Sequence, residues 1–167
     1  MTELHQLPWW LLPADVGAWG IAHATTGYVA HRLPERWCAD DNCLTRLRRP
    51  ERTERRCRTL RVPLWKDALP EAGAFFAGGV SKRHLGGTCD AALLRFASLT
   101  RRAEMGHWMA LFAAPLFGLW NPPLIVLMMV AYGAAANAPF IAIQRYNRVR
   151  VLRIVSRRAR RTRVTPS

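Results

Sequence analysis

Glu104 and His107 stand three positions apart, a spacing that puts them on neighbouring positions of one helix face. A carboxylate beside an imidazole fixes the ring's tautomer and raises its basicity, and a histidine titrating near neutral pH can take a proton from a hydroxyl nucleophile. The pair therefore reads as a general base. A structural alternative stays open, in which Glu104 pairs with Arg101 along the helix and His107 is an interfacial residue beside Trp108.

Cations flank this pair on both sides in sequence. Arg101 and Arg102 precede it, and a polar group of Gln144, Arg145, Tyr146, Asn147 and Arg148 closes the uncharged run that follows. All but two of the 25 cations are arginine, whose planar fork binds phosphate and carboxylate in bidentate fashion, so anionic partners are implied. A third group, Lys82, Arg83 and His84, follows the pair Gly78-Gly79. Backbone N–H groups near such glycines can cradle an anion, but the segment is not a GxxxxGK[ST] loop. The four cysteines, Cys38, Cys43, Cys57 and Cys89, form no CxxC pair with a second pair downstream and read as free thiols. Zinc held with His31 or His84 is the alternative, and no metal or resident cofactor is expected.

Elements that could position these groups follow from how charge is distributed over the 167 residues. Net charge is +14 and mean hydropathy −0.06, values that would suit a basic soluble domain if the charges were mixed. They are segregated. Residues 1–30 hold no lysine or arginine, residues 31–106 hold sixteen, residues 107–144 none and residues 145–167 nine. From Met105 to Gln144 runs a 40-residue stretch with no charged side chain, twice the roughly 20 residues that one membrane span needs. Trp120-Asn121-Pro122-Pro123 divides it, because two prolines remove helix donors, asparagine favours a turn and tryptophan prefers the membrane boundary.

The chain is accordingly expected to be an all-α, small integral membrane protein. Its parts are an N-terminal span within residues 1–30, a basic cytoplasmic segment over 31–106, a helical hairpin over 107–144 and a basic amphipathic tail over 145–167. The first hairpin arm, at about 20 Å, must start in the interface, thin the bilayer or be re-entrant. Small residues crowd the second arm from Ala131 to Ala138 and let helices approach closely, while Asn137 and Pro139 interrupt it with either an interhelical hydrogen bond or part of a site. A helix over 86–104, capped by Thr88 or Asp90, runs into the first arm. The tail reads as a topological anchor or as a helix lying on an anionic leaflet. The positive-inside rule places both basic blocks in the cytoplasm, giving a cell-membrane protein with three crossings, or one crossing and a re-entrant hairpin. Ala22-His23-Ala24 has no positive region ahead of it, so no cleaved signal is expected.

Four ordered stretches carry a resemblance. They are Arg32-Leu33-Pro34-Glu35-Arg36; Leu64-Trp65-Lys66-Asp67 with Ser81-Lys82-Arg83-His84-Leu85; Thr100-Arg101-Arg102-Ala103-Glu104 followed by His107-Trp108; and Asn137-Ala138-Pro139-Phe140-Ile141 leading into Gln144-Arg145-Tyr146-Asn147-Arg148. Together, over about residues 31–153, they resemble the glycosyl-4,4'-diaponeurosporenoate acyltransferase family of staphyloxanthin-type carotenoid biosynthesis. The resemblance implies a membrane enzyme that esterifies a fatty acyl group onto the sugar of a glycosylated carotenoid, with an acyl thioester as co-substrate. Leu99, where an acid is expected ahead of the Thr-Arg-Arg run, and the dense arginine block depart from the family pattern.

Residues and resemblance combine in one mechanism. His107 removes the proton of the acceptor's sugar hydroxyl, Glu104 orients the imidazole, and Arg101, Arg102, Arg145 and Arg148 bind the donor's phosphates. Asn137 or Tyr146 donates to the oxyanion of the tetrahedral intermediate. An antiparallel hairpin would bring the two arginine groups side by side. The rival is a non-catalytic membrane subunit whose arginine-rich face binds anionic lipid or a partner enzyme of the same pathway. The long uncharged run argues against a third reading, nucleic-acid binding, which predicts a soluble basic domain with exposed aromatics.

Overall fold

A computed structural model describes residues 8–48, 61–66 and 88–164, and every element among them is helical. Helix α1 spans Leu11–Arg32. Pro13 is tolerated in its first turn, where amide donors lack intrahelical partners, and Pro34 ends it by forcing Leu33 into an extended conformation (ψ 133°). Short helices follow, α2 over Glu35–Ala39 and α3 over Val62–Trp65. Helix α4 covers Asp90–Ala113, a 3-10 turn covers Ala114–Leu119, and α5 runs unbroken over Pro123–Val164, 42 residues or about 63 Å.

Helices α4 and α5 form an antiparallel pair, and α1 packs along the second half of α4. Two apolar clusters hold the three together. Trp19 of α1 sits against Ala114 and Phe117, with Met129 of α5 beside them, while Leu93, Phe96 and Ala97 of α4 pack with Val151, Leu152 and Val155 of α5. Small residues set the spacing: a Cβ built on Gly133 would lie 2.9 Å from the Trp19 ring, and one on Gly106 would lie 3.0 Å from the Ala30 side chain. At the hairpin turn, the buried Asp15 carboxylate accepts from Trp120 Nε1 and Asn121 Nδ2, both at 2.8 Å, tying α1 to the bend.

Three expectations change. Asn137 and Pro139 do not interrupt α5, since the helix continues through Pro139 and the Asn137 amide bonds the carbonyl one turn back. The tail is no separate helix but the continuation of α5, and its Val151, Leu152 and Val155 pack on α4. Neither Thr88 nor Asp90 caps α4: Cys89 occupies the cap without a side-chain bond, and Asp90 in the first turn pairs with Arg158 at 2.9 Å.

Among the described helices, α5 is the one long and apolar enough to cross a membrane. Only 17% of its apolar window is buried in the protein, the reverse of a soluble core helix, which would be mostly covered. Val16 and Ile21 of α1, Leu116 of the 3-10 turn, and Leu124, Leu127 and Met128 of α5 are likewise exposed. This apolar surface favours association with a membrane.

Candidate active site at the α4–α5 seam

Glu104 lies fully buried where α4 faces the arginines of α5. Its Oε1 accepts from Arg145 Nε at 2.7 Å and from Trp108 Nε1 at 3.2 Å, and its Oε2 is 2.8 Å from Arg148 Nη2. One carboxylate thus serves two arginines. Both guanidinium groups also reach the segment after α2, Arg145 Nη2 donating to Leu44 O at 2.7 Å and Arg148 Nη2 to Thr45 O at 2.6 Å. Burial pushes the Arg148 guanidinium down from its ordinary range, and the Glu104 charge pulls it back.

That segment is strapped from several directions. Arg101 Nε meets Asp41 Oδ1 at 2.8 Å and its Nη1 donates to Ala39 O at 2.9 Å, while Arg102 Nη2 donates to Leu33 O at 3.0 Å. Asn42 Oδ1 accepts the backbone amides of Leu44 and Thr45, the geometry of an Asx turn, and its Nδ2 contacts Met105 Sδ at 3.1 Å. The hairpin therefore does bring the two arginine groups onto one loop. Their bonds to backbone carbonyls make them fasteners of residues 33–45, where sequence reasoning expects an open phosphate cradle. Buried donors without partners nevertheless persist on Arg148 (Nε and Nη1) and Arg102 (Nε), and the buried Gln144 Oε1 is an acceptor without one.

One turn further along α4, His107 is half-buried. Its ring stacks on Phe140 of α5, centroids 4.9 Å apart and planes 9° from parallel, and its Nδ1 lies 3.1 Å from Asn137 Oδ1. Asn137 is itself buried, and its Nδ2 donates to Gly133 O at 2.9 Å. The expected Glu104–His107 pairing is thus corrected: Glu104 is drawn to the stronger charge of two guanidinium groups, and the atom at His107 Nδ1 belongs to Asn137. Of the two hydrogens on Asn137 Nδ2, one is taken by Gly133 O. Tyr146 lies under the Arg150 guanidinium at 5.6 Å, and Asn147 is half-buried on the next position of the helix. Lys82, Arg83, His84 and Cys57 lie outside the described residues.

Sequence reasoning missed Asp41, Asn42, Leu44 and Thr45, because a loop that serves mainly through backbone carbonyls leaves little trace in residue types. Among the described residues no group of three or more His, Cys, Asp or Glu could hold a metal.

A helical protein with an exposed apolar half and a polar seam, and with an imidazole between the two, is built to associate with a membrane. The chain belongs to the glycosyl-4,4'-diaponeurosporenoate acyltransferase family, whose profile matches residues 40–157. It is 31% identical over 103 residues to the glycosyl-4,4'-diaponeurosporenoate acyltransferase of Staphylococcus aureus (strain bovine RF122 / ET3-1), an alignment covering 60% of this chain and 62% of that one. The protein of the same name from Staphylococcus haemolyticus (strain JCSC1435) is 35% identical over 92 residues, covering 54% and 53%. The chain therefore spans less than two thirds of the length of these relatives. No solved structure matches it.

Proposed function

We propose that the protein is a membrane-bound acyltransferase that esterifies a fatty acyl group onto a sugar hydroxyl of a glycosylated carotenoid or similar glycolipid, with His107 as general base. Family membership supports the reaction class, and one observation carries the assignment of the base. His107 is held by two α5 side chains at the boundary between the exposed apolar half of the molecule and its arginine-rich half. A lipid-soluble acceptor reaches that boundary from the apolar side, and an anionic thioester donor from the cationic side. In this reading α1, the α4 end with its 3-10 turn, and the first half of α5 cross the cell membrane, and both basic blocks face the cytoplasm. Gln144, Arg145, Tyr146, Asn147, Arg148, Arg101 and Arg102 shape the donor side, with Lys82, Arg83 and His84 as further cations.

The test is acyl transfer in membranes. Replacing His107 by Ala is expected to lower the rate about 100-fold or more, the usual worth of a positioned acid–base group. Near-wild-type activity removes His107 from the mechanism. A second reading, a non-catalytic subunit, draws on the internal commitment of Arg101, Arg145 and Arg148. Deleting the gene and restoring it as wild type or His107→Ala separates the two. Recovery of the acylated glycolipid by wild type alone supports the enzyme, and recovery by both supports the subunit.

A further inference from the structure

We infer that Asn137 is a positioning residue that locks the neutral His107 ring with its proton on Nδ1, so that Nε2 is the atom that accepts the hydroxyl proton. This deepens the acyltransferase reading and names the nitrogen that acts.

The amide orientation comes first. A backbone carbonyl can only accept, so the Asn137 atom 2.9 Å from Gly133 O is the NH2 group, and the opposite arrangement would set two oxygens against each other. Oδ1 is thereby the atom facing the imidazole, 3.1 Å from Nδ1. An amide oxygen is an acceptor only. A favourable contact at that distance therefore requires Nδ1 to carry hydrogen, which leaves the lone pair of the neutral ring on Nε2. Stacking on Phe140 holds the plane of the ring but is indifferent to a half-turn about the Cβ–Cγ bond, which would exchange Nδ1 for a carbon. The Asn137 bond removes that degeneracy. Because Asn137 is buried and pinned by its own helix, its orientation is set before any substrate arrives.

The proton accounting closes for transfer from a thioester. The acceptor hydroxyl gives its proton to Nε2 as its oxygen bonds the acyl carbon, and the ring becomes an imidazolium with Nδ1–H still on Asn137. The C–S bond then breaks, the electron pair leaves with sulfur, and Nε2 returns the proton to the thiolate. Ester, thiol and neutral imidazole remain.

The experiment is nitrogen NMR of the full chain, with 15N-histidine, in lipid bilayers, His107 being assigned by loss of its signals in His107→Gln. At a pH where the ring is neutral, wild type is expected to show a protonated Nδ1 and a pyridine-type Nε2. Asn137→Asp, which retains an acceptor, keeps that pattern. Asn137→Leu shifts the population toward Nε2–H by at least severalfold and lowers kcat about tenfold or more with KM within about twofold, as expected for a group acting in the transition state. A wild-type ring protonated on Nε2 overturns the inference, as does an unchanged spectrum in Asn137→Leu. Wild type alone decides it should the leucine variant misfold. The spectrum also reads the tautomer whether or not the protein transfers acyl groups, so failure of the inference is distinguishable from failure of the proposed function.

Discussion

At the scale of single residues, the seam separates what holds the protein together from the residue proposed to act. Glu104 pairs with two arginines in a fully buried site, and taking its charge away removes the carboxylate that Arg145 and Arg148 share. Glu104→Gln is therefore expected to destabilise the protein by about 3–5 kcal/mol, the usual cost of breaking a buried ion pair from one side. Thermal unfolding in detergent measures it. His107→Ala, by contrast, should cost less stability, about 1–3 kcal/mol for the Asn137 acceptor it leaves unmet, while lowering transfer about 100-fold or more, and a comparable fall in melting temperature in both variants would contradict this division. Both residues were legible in the sequence, but their partners were not. A three-residue spacing reports neighbours on one helix, whereas what the antiparallel helix presents depends on register, which places Arg145 and Arg148 at Glu104 and Asn137 at His107. An amide in an uncharged run signalled only that it needed a partner.

At the scale of helices, close approach is what registers α1 against α5. The Trp19 ring touches the bare backbone of Gly133 and is backed by Phe117, His23 and Tyr132, at ring centroid distances of 4.9, 5.3 and 5.0 Å. It has no direction in which to retreat. Gly133→Val is expected to cost about 1–3 kcal/mol as an overpacked contact. Gly20→Ala, on the same helix as Trp19 but with nothing within 4 Å of its added methyl, should be neutral or stabilise by roughly 0.5–1 kcal/mol. Melting temperatures of the two variants compare them directly, and equal effects would mean that the Trp19–Gly133 contact does not set the spacing. The helices, the proline-marked bend and the small-residue stripe could be read from sequence. That α5 continues through Pro139 could not, because the outcome depends on how neighbouring groups satisfy the backbone left open there.

At the scale of the whole molecule, the charged ends of three apolar segments lie at one level. Arg32 ends α1, Arg101 and Arg102 open the apolar part of α4, and Arg145 follows the apolar half of α5. Arg101 and Arg145 reach the same loop, residues 38–45, and Arg102 reaches Leu33 just before it, so the alignment is bonded rather than coincidental. At the other end Asp15 binds Trp120 and Asn121, which fixes the opposite level just as firmly. Between the two, residues 123–144 of α5 extend about 33 Å, close to the thickness of a bilayer's hydrocarbon core at about 30 Å. A bilayer laid across this layer would bury the exposed apolar side chains and leave both polar clusters at its edges. The prediction concerns sidedness. Leu119→Cys, at a position 80% exposed beside the hairpin bend, should react with a membrane-impermeant maleimide only from outside the cell. The native exposed Cys43 and Cys89 should react only in inverted vesicles. Labelling of all three from one side would mean that the α4–α5 pair does not cross, and that acceptor and donor would have to approach His107 from a single face of the membrane.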